Sequence, residues 1–199
     1  MWQRTLDVLF PAQCGGCSEI GSGYCDRCAA EAESCSERRG ELAVRAFGAY
    51  AGSLRRAVLA MKDGRRDVAR ALGERLAALV SERSILVPVP TTAARRRARG
   101  MDGGVELARS AASLGGISLR EPLVHAARDA QRGRSRADRL GARGRFACRE
   151  RFGGERVVLV DDVCTTGATL VDCASALHAA GATVREAVVV ALAPNHGRS

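Results

Sequence analysis

Two adjacent carboxylates, Asp161 and Asp162, come directly after four apolar residues, 157–160. A continuous apolar and mostly β-branched run of this length is typical of a strand buried on both faces of a parallel sheet. A turn of hydroxyl-bearing and small residues follows, and apolar residues at helical spacing come after it, which predicts a helix. The turn consists of Thr165, Thr166, Gly167, Ala168 and Thr169.

This order of strand, acidic pair, turn and helix suits recognition of a phosphorylated sugar, because open α/β sheets bind ligands at the carboxyl ends of their strands. Backbone N–H groups of the turn and the positive end of the helix dipole can hold a phosphate. Asp161 and Asp162 would repel that phosphate, so we expect them to accept hydrogen bonds from sugar hydroxyls or to help hold Mg²⁺. An ordinary strand followed by a capped helix explains the apolar run but not the two acids.

These residues resemble the 5-phosphoribosyl-1-pyrophosphate (PRPP) motif of type I phosphoribosyltransferases, which is a hydrophobic strand, two acidic residues and a Thr/Gly loop. The resemblance implies an α/β fold in which helices flank a mostly parallel sheet of about five strands. It also implies binding of PRPP with Mg²⁺ and transfer of phosphoribosyl to an acceptor with release of pyrophosphate. The acceptor and the catalytic residues stay unassigned. His125, at the expected end of a strand, is more typical of a structural residue.

Two Cys-x-x-Cys pairs near the N-terminus, separated by a short glycine-containing segment, can place four thiolates around Zn²⁺. Four sulfurs leave no open position for a substrate, and so short a segment needs a metal to fold, so we expect a structural zinc. Cys35 is either a spare ligand or the remnant of a longer cysteine array, and the polar residues 32–41 are predicted to be a linker. The predicted ligands are Cys14, Cys17, Cys25 and Cys28.

The chain has 199 residues, a formal net charge of +9, eight cysteines and a single lysine, Lys62. A lone lysine ahead of a glycine could reach a phosphate, but we expect Lys62 at a solvated helix end. It contains no apolar run of membrane-spanning length and nothing typical of a secretory signal. In a reducing compartment the cysteines favour metal binding or catalysis over disulfides. We therefore expect a cytoplasmic protein with a zinc module at residues 1–40 and a phosphoribosyltransferase-like domain at residues 44–199.

Arginines are concentrated in two predicted loops. Residues 85–90 read as a strand that leads into an arginine-rich loop, 91–100. Residues 126–149 read as a long glycine- and arginine-rich loop, which is typical of a lid or of a disordered segment. Both loops would meet the pyrophosphate of PRPP, although a solvated basic face explains the first one as well. We also expect strands at residues 45–50, 119–124 and 183–192, with helices between them. The candidate pyrophosphate ligands are Arg95, Arg96, Arg97, Arg99, Arg128 and Arg139, with Arg132 and Arg136 as further candidates.

The four-cysteine segment, the Val-Pro-Val-Pro strand end at residues 87–90, the loop that ends at Arg99 and Gly100, and the acidic motif together resemble the ComF family. The chain departs from that family's pattern after Gly100, where residues 101–104 lack aromatic and amide side chains. ComF proteins take their name from DNA uptake. The resemblance therefore also implies an alternative, a non-catalytic competence protein that handles single-stranded DNA through a helicase-like partner. Direct DNA binding is less favoured, because the few aromatic residues are scattered.

Overall fold

A computed structural model describes residues 11–81, 83–126 and 144–194. Four of the predicted pyrophosphate ligands, Arg128, Arg132, Arg136 and Arg139, lie outside these ranges. The strands are β1 (Cys35–Arg39), β2 (Leu42–Ala49), β3 (Ile85–Pro88), β4 (Ser118–Leu119), β5 (Leu123–His125), β6 (Phe146–Cys148), β7 (Arg156–Cys164) and β8 (Thr183–Leu192). The helices are α1 (Asp26–Ala30), α2 (Gly52–Lys62), α3 (Arg66–Ala77), α4 (Ala93–Arg99), α5 (Gly103–Gly115) and α6 (Ala168–Ala179).

A six-stranded sheet in the order β1-β2-β8-β7-β3-β4 forms the centre of the protein. Its pairs are all parallel except the antiparallel pair of β1 and β2 at one edge. The prediction of an α/β fold with a mostly parallel sheet is therefore confirmed. The sheet has one strand more than the five that the sequence predicts. Strands β5 and β6 form a separate antiparallel pair.

Strand β7 separates the two halves of the hydrophobic core, because successive side chains of a strand point to opposite faces of the sheet. Val158 and Val160 pack on the face covered by α2, α3 and α5. Val157 and Leu159 pack on the other face, which α6 covers through Leu170 and Leu177. All of these residues are almost fully buried. The continuous apolar run of β7 thus results from burial on both faces.

The prediction that residues 32–41 are a linker is wrong in part, since residues 35–39 form the edge strand β1. Three of its five residues are exposed, so the segment has none of the apolar alternation that identifies a half-buried strand. Backbone pairing with the apolar β2 therefore decides its structure. The division at about residue 40 stays a prediction. Within the described residues, the cysteine segment packs against α2 and α3: a Cβ on Gly23 would lie 2.3 Å from the Asp67 carbonyl oxygen.

Two further predictions need correction. Residues 91–100 are not all loop, because α4 begins after Thr92, whose side chain accepts a hydrogen bond from the Arg95 N–H (3.3 Å), and ends at the left-handed Gly100. The predicted strand 119–124 is instead divided between β4 in the main sheet and β5 in the small one. Pro122 lies between them and has no N–H with which to continue a ladder. The strand predicted at residues 183–192 is confirmed as β8.

Among the residues described, no helix has both the length and the apolar character needed to cross a membrane.

Substitution of a core residue tests this packing. We expect Leu159→Ala to lower the free energy of unfolding by about 2–5 kcal/mol, because it leaves a cavity in the centre of the sheet. Leu114→Ala is the matched control, since this side chain is 65% exposed and its removal should cost about 0.5 kcal/mol or less. Chemical denaturation measures both. Equal losses for the two variants would contradict the assignment of Leu159 to the core.

Candidate functional site

The two adjacent carboxylates belong to β7 itself, not to the chain after it, and each accepts a hydrogen bond from the backbone N–H of the next residue. The backbone N–H of Asp162 donates to Asp161 Oδ1 (2.8 Å), and the N–H of Val163 donates to Asp162 Oδ1 (2.7 Å). Lys62, the last residue of α2, places its Nζ 3.2 Å from Asp162 Oδ2. This lysine was predicted to be solvated, but its side chain is only 28% exposed.

Asp161 has an unusual protonation equilibrium. Burial, and then the neighbouring charge of Asp162, raise its pKa from the ordinary value to about 8. The Asp162 N–H and Lys62 act in the opposite direction, and a third carboxylate, Asp102, adds to the increase. Burial and the neighbouring carboxylate thus both disfavour a negative charge on Asp161.

A short turn leads from β7 into α6. Gly167 precedes the helix with φ 79°, a left-handed conformation that glycine adopts without strain. As the N-cap residue, it has no side chain with which to occupy the N–H groups of the first helical turn. The Thr166 hydroxyl accepts a weak hydrogen bond from the Ala168 N–H (3.4 Å), and Thr165 and Thr166 are exposed. The turn therefore presents backbone donors at the positive end of a twelve-residue helix.

Strands β1 and β2 form an antiparallel pair, called here the N-terminal hairpin, and Arg39 of β1 contacts this turn. Its guanidinium Nη2 donates to the carbonyl oxygen of Thr165 at 3.2 Å, although the two residues are 126 positions apart in sequence. A groove of about 710 Å³ lies between the end of β1 and the start of α6, and Arg38, Arg39, Thr166 and Ala168 are among the residues that line it. The site thus contains a residue from the segment that the sequence presents as a linker.

The arginines after β3 lie on α4, where Arg95, Arg96 and Arg97 are exposed. Arg96 also lines a cavity of about 490 Å³ beside the end of β3, together with Thr91, Asp102 and His125. The His125 ring packs against Phe146 with 4.9 Å between ring centroids, and its Nε2 is buried without a hydrogen-bond partner among the described residues. The predicted basic segment is therefore a helix whose exposed face carries the charge.

The four predicted metal ligands, Cys14, Cys17, Cys25 and Cys28, form one cluster in which the Sγ atoms all lie within 4.8 Å of one another. Two of the sulfur pairs are 3.8 Å and 3.6 Å apart. Zn–S bonds of about 2.3 Å in a tetrahedron require sulfur atoms about 3.8 Å apart, so the cluster can hold such an ion. Cys35 is not part of it, since it lies in β1 and packs against the core on the other face of the sheet.

Backbone hydrogen bonds favour the thiolate form of one cysteine of the cluster. Burial alone would raise the pKa of Cys14, but N–H groups of Cys25, Cys17 and Gly16 point at its sulfur and the net pKa falls to about 6. The pKa of Cys28 is raised instead, by burial and then by the neighbouring cysteines. Four thiolates this close repel one another, so a cation is needed before all of them can ionise.

Two residues of this region, Lys62 and Arg39, have no assigned role in the sequence-based prediction. Neither belongs to a motif, and each reaches the site only through tertiary structure: Lys62 at the end of α2, and Arg39 at the end of β1. The one available signal was that Lys62 is the only lysine among 31 basic residues.

Comparison with known proteins gives a family match. Residues 66–199, well over half of the chain, match the family model for the phosphoribosyl transferase domain. Orotate phosphoribosyltransferase of Halobacterium salinarum is 38% identical over 96 residues, which are 48% of this chain and 48% of that protein. Hypoxanthine/guanine phosphoribosyltransferase of Methanothrix thermoacetophila is 57% identical over 37 residues, 19% of this chain and 20% of that protein. The chain spans about half or less of the length of these relatives.

A similarity to solved structures is also found. Glutamine PRPP amidotransferase from B. subtilis, complexed with ADP and GMP, overlaps with a TM-score of 0.43 and 26% identity. The overlap covers 61% of this chain and 26% of that chain.

The raised pKa of Asp161 predicts a pH dependence of stability. The folded-state pKa of about 8 lies above the unfolded value, so the folded protein binds this proton more tightly. Stability therefore falls as the pH rises from the unfolded pKa to the folded pKa, and it levels off above about pH 8. We expect Asp161→Asn to lose less stability than the wild type between about pH 6 and about pH 9, because the variant has no proton to release there. The urea midpoint of each protein at the two pH values measures this. Asp63→Asn, at an exposed position, is the control. A wild-type and an Asp161→Asn profile of equal slope would refute the raised pKa.

Proposed function

The chain belongs to the phosphoribosyl transferase domain family, and from this we propose that it binds PRPP, or a ribose 5-phosphate nucleotide, at the end of β7. The observation that carries the proposal is the combination of a carboxylate pair with an adjacent turn of backbone donors at a helix N-terminus. One part suits sugar hydroxyls and the other suits a phosphate, and they are adjacent along the chain.

The 5-phosphate would lie in the turn formed by Thr165, Thr166, Gly167, Ala168 and Thr169. Its negative charge is favourable there because the N–H groups and the α6 dipole both present positive charge. Gly167 adopts the left-handed conformation that this turn requires. Hydroxyls of Thr165 and Thr166, both exposed, can donate further hydrogen bonds.

Asp161 and Asp162 would accept hydrogen bonds from the ribose hydroxyls. Carboxylate oxygens are also the ligands that Mg²⁺ prefers, so this pair fits a Mg²⁺ ion bound together with PRPP. Such an ion would neutralise charge that develops on the departing pyrophosphate. Lys62 pairs with Asp162 and offsets the charge of the pair, and the same ammonium group can turn to a ligand oxygen.

Transfer would break the bond between ribose C1 and the pyrophosphate oxygen and form a bond from C1 to a nucleophile of the acceptor. The electron pair of the broken bond leaves with pyrophosphate, so positive charge near the leaving group speeds the reaction. Arg96, which lines the cavity beside the end of β3, would supply this charge, together with Arg95, Arg97 and Arg99 on the same helix. The acceptor is not assigned.

We infer that the cysteine cluster binds one structural Zn²⁺. The separations of Cys14 Sγ from Cys28 Sγ (3.8 Å) and of Cys17 Sγ from Cys25 Sγ (3.6 Å) fit a tetrahedral zinc site. The four cysteines would supply all four ligands of the metal. The metal would hold the residues that pack on α2, where the Arg56 side chain donates to the Gly16 carbonyl oxygen at 2.6 Å. A cytoplasmic location, suited to reduced thiols, remains a prediction.

A second candidate function comes from the ComF resemblance: a competence protein without transferase activity that handles single-stranded DNA through a partner. The exposed arginines of α4 favour a polyanion or an acidic partner. Tyr24, however, is almost fully buried, so its ring cannot serve as a stacking surface for bases. This favours a protein partner over direct binding of DNA.

The first experiment is calorimetric titration with PRPP and Mg²⁺, followed by an assay of pyrophosphate release with a pool of acceptors. We expect binding by the wild type and, for the Asp161→Asn/Asp162→Asn double variant, roughly a hundredfold or greater loss, because neutral amides replace the carboxylates that would hold the ribose hydroxyls and Mg²⁺. Asp63→Asn, at the end of α2, should bind normally. Unchanged affinity of the double variant would remove the ligand-site assignment, and salt-sensitive DNA binding without PRPP binding would favour the second candidate.

The metal is tested by elemental analysis of protein purified without added zinc. We expect about one Zn²⁺ per chain and its loss in the Cys17→Ser/Cys25→Ser variant, because two remaining thiolates cannot complete a tetrahedral site. Cys148→Ser should keep the metal, since Cys148 lies in β6 outside the cluster. A metal-free protein with all four thiols reduced would refute the zinc site.

A further inference from the structure

Arg39, the last residue of β1, is in contact with the turn that the proposed function assigns to phosphate. Its Nη2 donates to the Thr165 carbonyl oxygen (3.2 Å), and its aliphatic stem covers Gly167, where an added Cβ would lie 2.6 Å from Arg39 Cγ. The Arg39 side chain is only 13% exposed, whereas its neighbour Arg38 is exposed. Arginine is rarely buried unless its charge is paired, so the contacts of this side chain need a structural or functional explanation.

The guanidinium is held in one orientation by several contacts. It forms an ion pair with Glu37, two residues earlier on the same face of β1, and its Nη1 donates to the Arg38 carbonyl oxygen (3.4 Å). The group also lies near Cys164: burial raises the pKa of that thiol, and Arg39 offsets part of the increase. The positive charge of Arg39 therefore lies beside the turn, in contact with the Thr165 carbonyl oxygen.

A carbonyl contact at Thr165 determines the direction of the next backbone donor. The peptide unit is planar and trans, so the carbonyl of Thr165 and the N–H of Thr166 point in opposite directions. A donor that fixes the carbonyl on the β1 side fixes the Thr166 N–H toward the opposite side of the turn. Among the described residues, this is the one hydrogen bond to the Thr165 carbonyl oxygen that comes from a side chain, so its loss removes a restraint on the peptide.

We propose that Arg39 is a positioning residue that holds the Thr165–Thr166 peptide in the orientation needed for phosphate binding. It acts through the backbone of the turn, not through direct contact with the ligand. The N-terminal hairpin thereby becomes part of the ligand site. The inference rests on the proposed function, since it assigns the turn to a phosphate.

Three variants separate this role from others. Arg39→Met keeps an unbranched stem over Gly167 and removes every donor, whereas Arg39→Gln keeps an uncharged donor. Arg185→Met is the matched control, because it removes the same charge from an exposed position near the start of β8, at the opposite end of the parallel strands from the turn. Two quantities are measured for each variant and for the wild type. They are the affinity for ribose 5-phosphate by calorimetry and the hydrogen exchange of residues 160–172 in the ligand-free protein.

We expect Arg39→Met to weaken binding of ribose 5-phosphate roughly tenfold, which is the effect of one hydrogen bond from a charged donor. Its turn should also exchange faster, while Arg39→Gln recovers part of both properties and Arg185→Met matches the wild type. Wild-type affinity and exchange in Arg39→Met would overturn the inference. Equal loss in Arg39→Met and Arg39→Gln with unchanged exchange would also overturn it, because it would indicate a charge contact with the ligand.

The two possible failures are distinguishable. If the wild type does not bind ribose 5-phosphate, the proposed function is wrong at this turn. The exchange measurement still decides the role of Arg39, since faster exchange in Arg39→Met would support control of the turn and unchanged exchange would refute it.

Discussion

Repulsion between two adjacent carboxylates at the end of a buried strand is the constraint on which this structure depends. Asp161 and Asp162 lie within β7, where desolvation and mutual repulsion both disfavour a second negative charge. An ammonium group at 3.2 Å from Asp162 and a backbone N–H donor to each carboxylate offset this repulsion, and the pKa of Asp161 is raised. The acid pair would be unfavourable as a purely structural element, which is the physical argument for a ligand at this edge.

Helix α2 connects this constraint to the cysteine cluster. Its first turn lies against the cysteine segment, where a Cβ on Gly16 would meet Ser53 at 3.0 Å, and its last residue is Lys62. The hairpin that follows the cysteines reaches the other side of the site through Arg39. The N-terminal segment therefore contacts both an element that carries the ammonium group and the turn itself. It is packed into the fold, against the same core that covers one face of β7.

The parts of the fold that sequence predicts are those with strong local patterns. The apolar run of β7, the alternation and apolar run of β8, and the Cys-x-x-Cys spacing are local, and all three appear as predicted. Strand β1 was not predictable in this way, because an exposed edge strand with Glu37, Arg38 and Arg39 has no apolar period. The helix α4 could have been found from capping by Thr92, the high helix propensity of Ala and Arg, and Gly100 at its end.

The site divides in the same manner. Its motif residues are adjacent in sequence, so their proximity follows from the chain itself. The contacts of Lys62 and Arg39 join residues about 100 or more positions apart, and only packing of α2 and β1 against the sheet creates them. The roles of Arg128 and Arg139 stay predictions, since these residues lie outside the described ranges.

A crystal structure of the protein with ribose 5-phosphate tests the central claim most directly. The account predicts the phosphate within hydrogen-bond distance of the backbone N–H groups of residues 166–169, with the ribose hydroxyls on Asp161 and Asp162. A phosphate bound to the arginines of α4 while the turn stays free of ligand would contradict it.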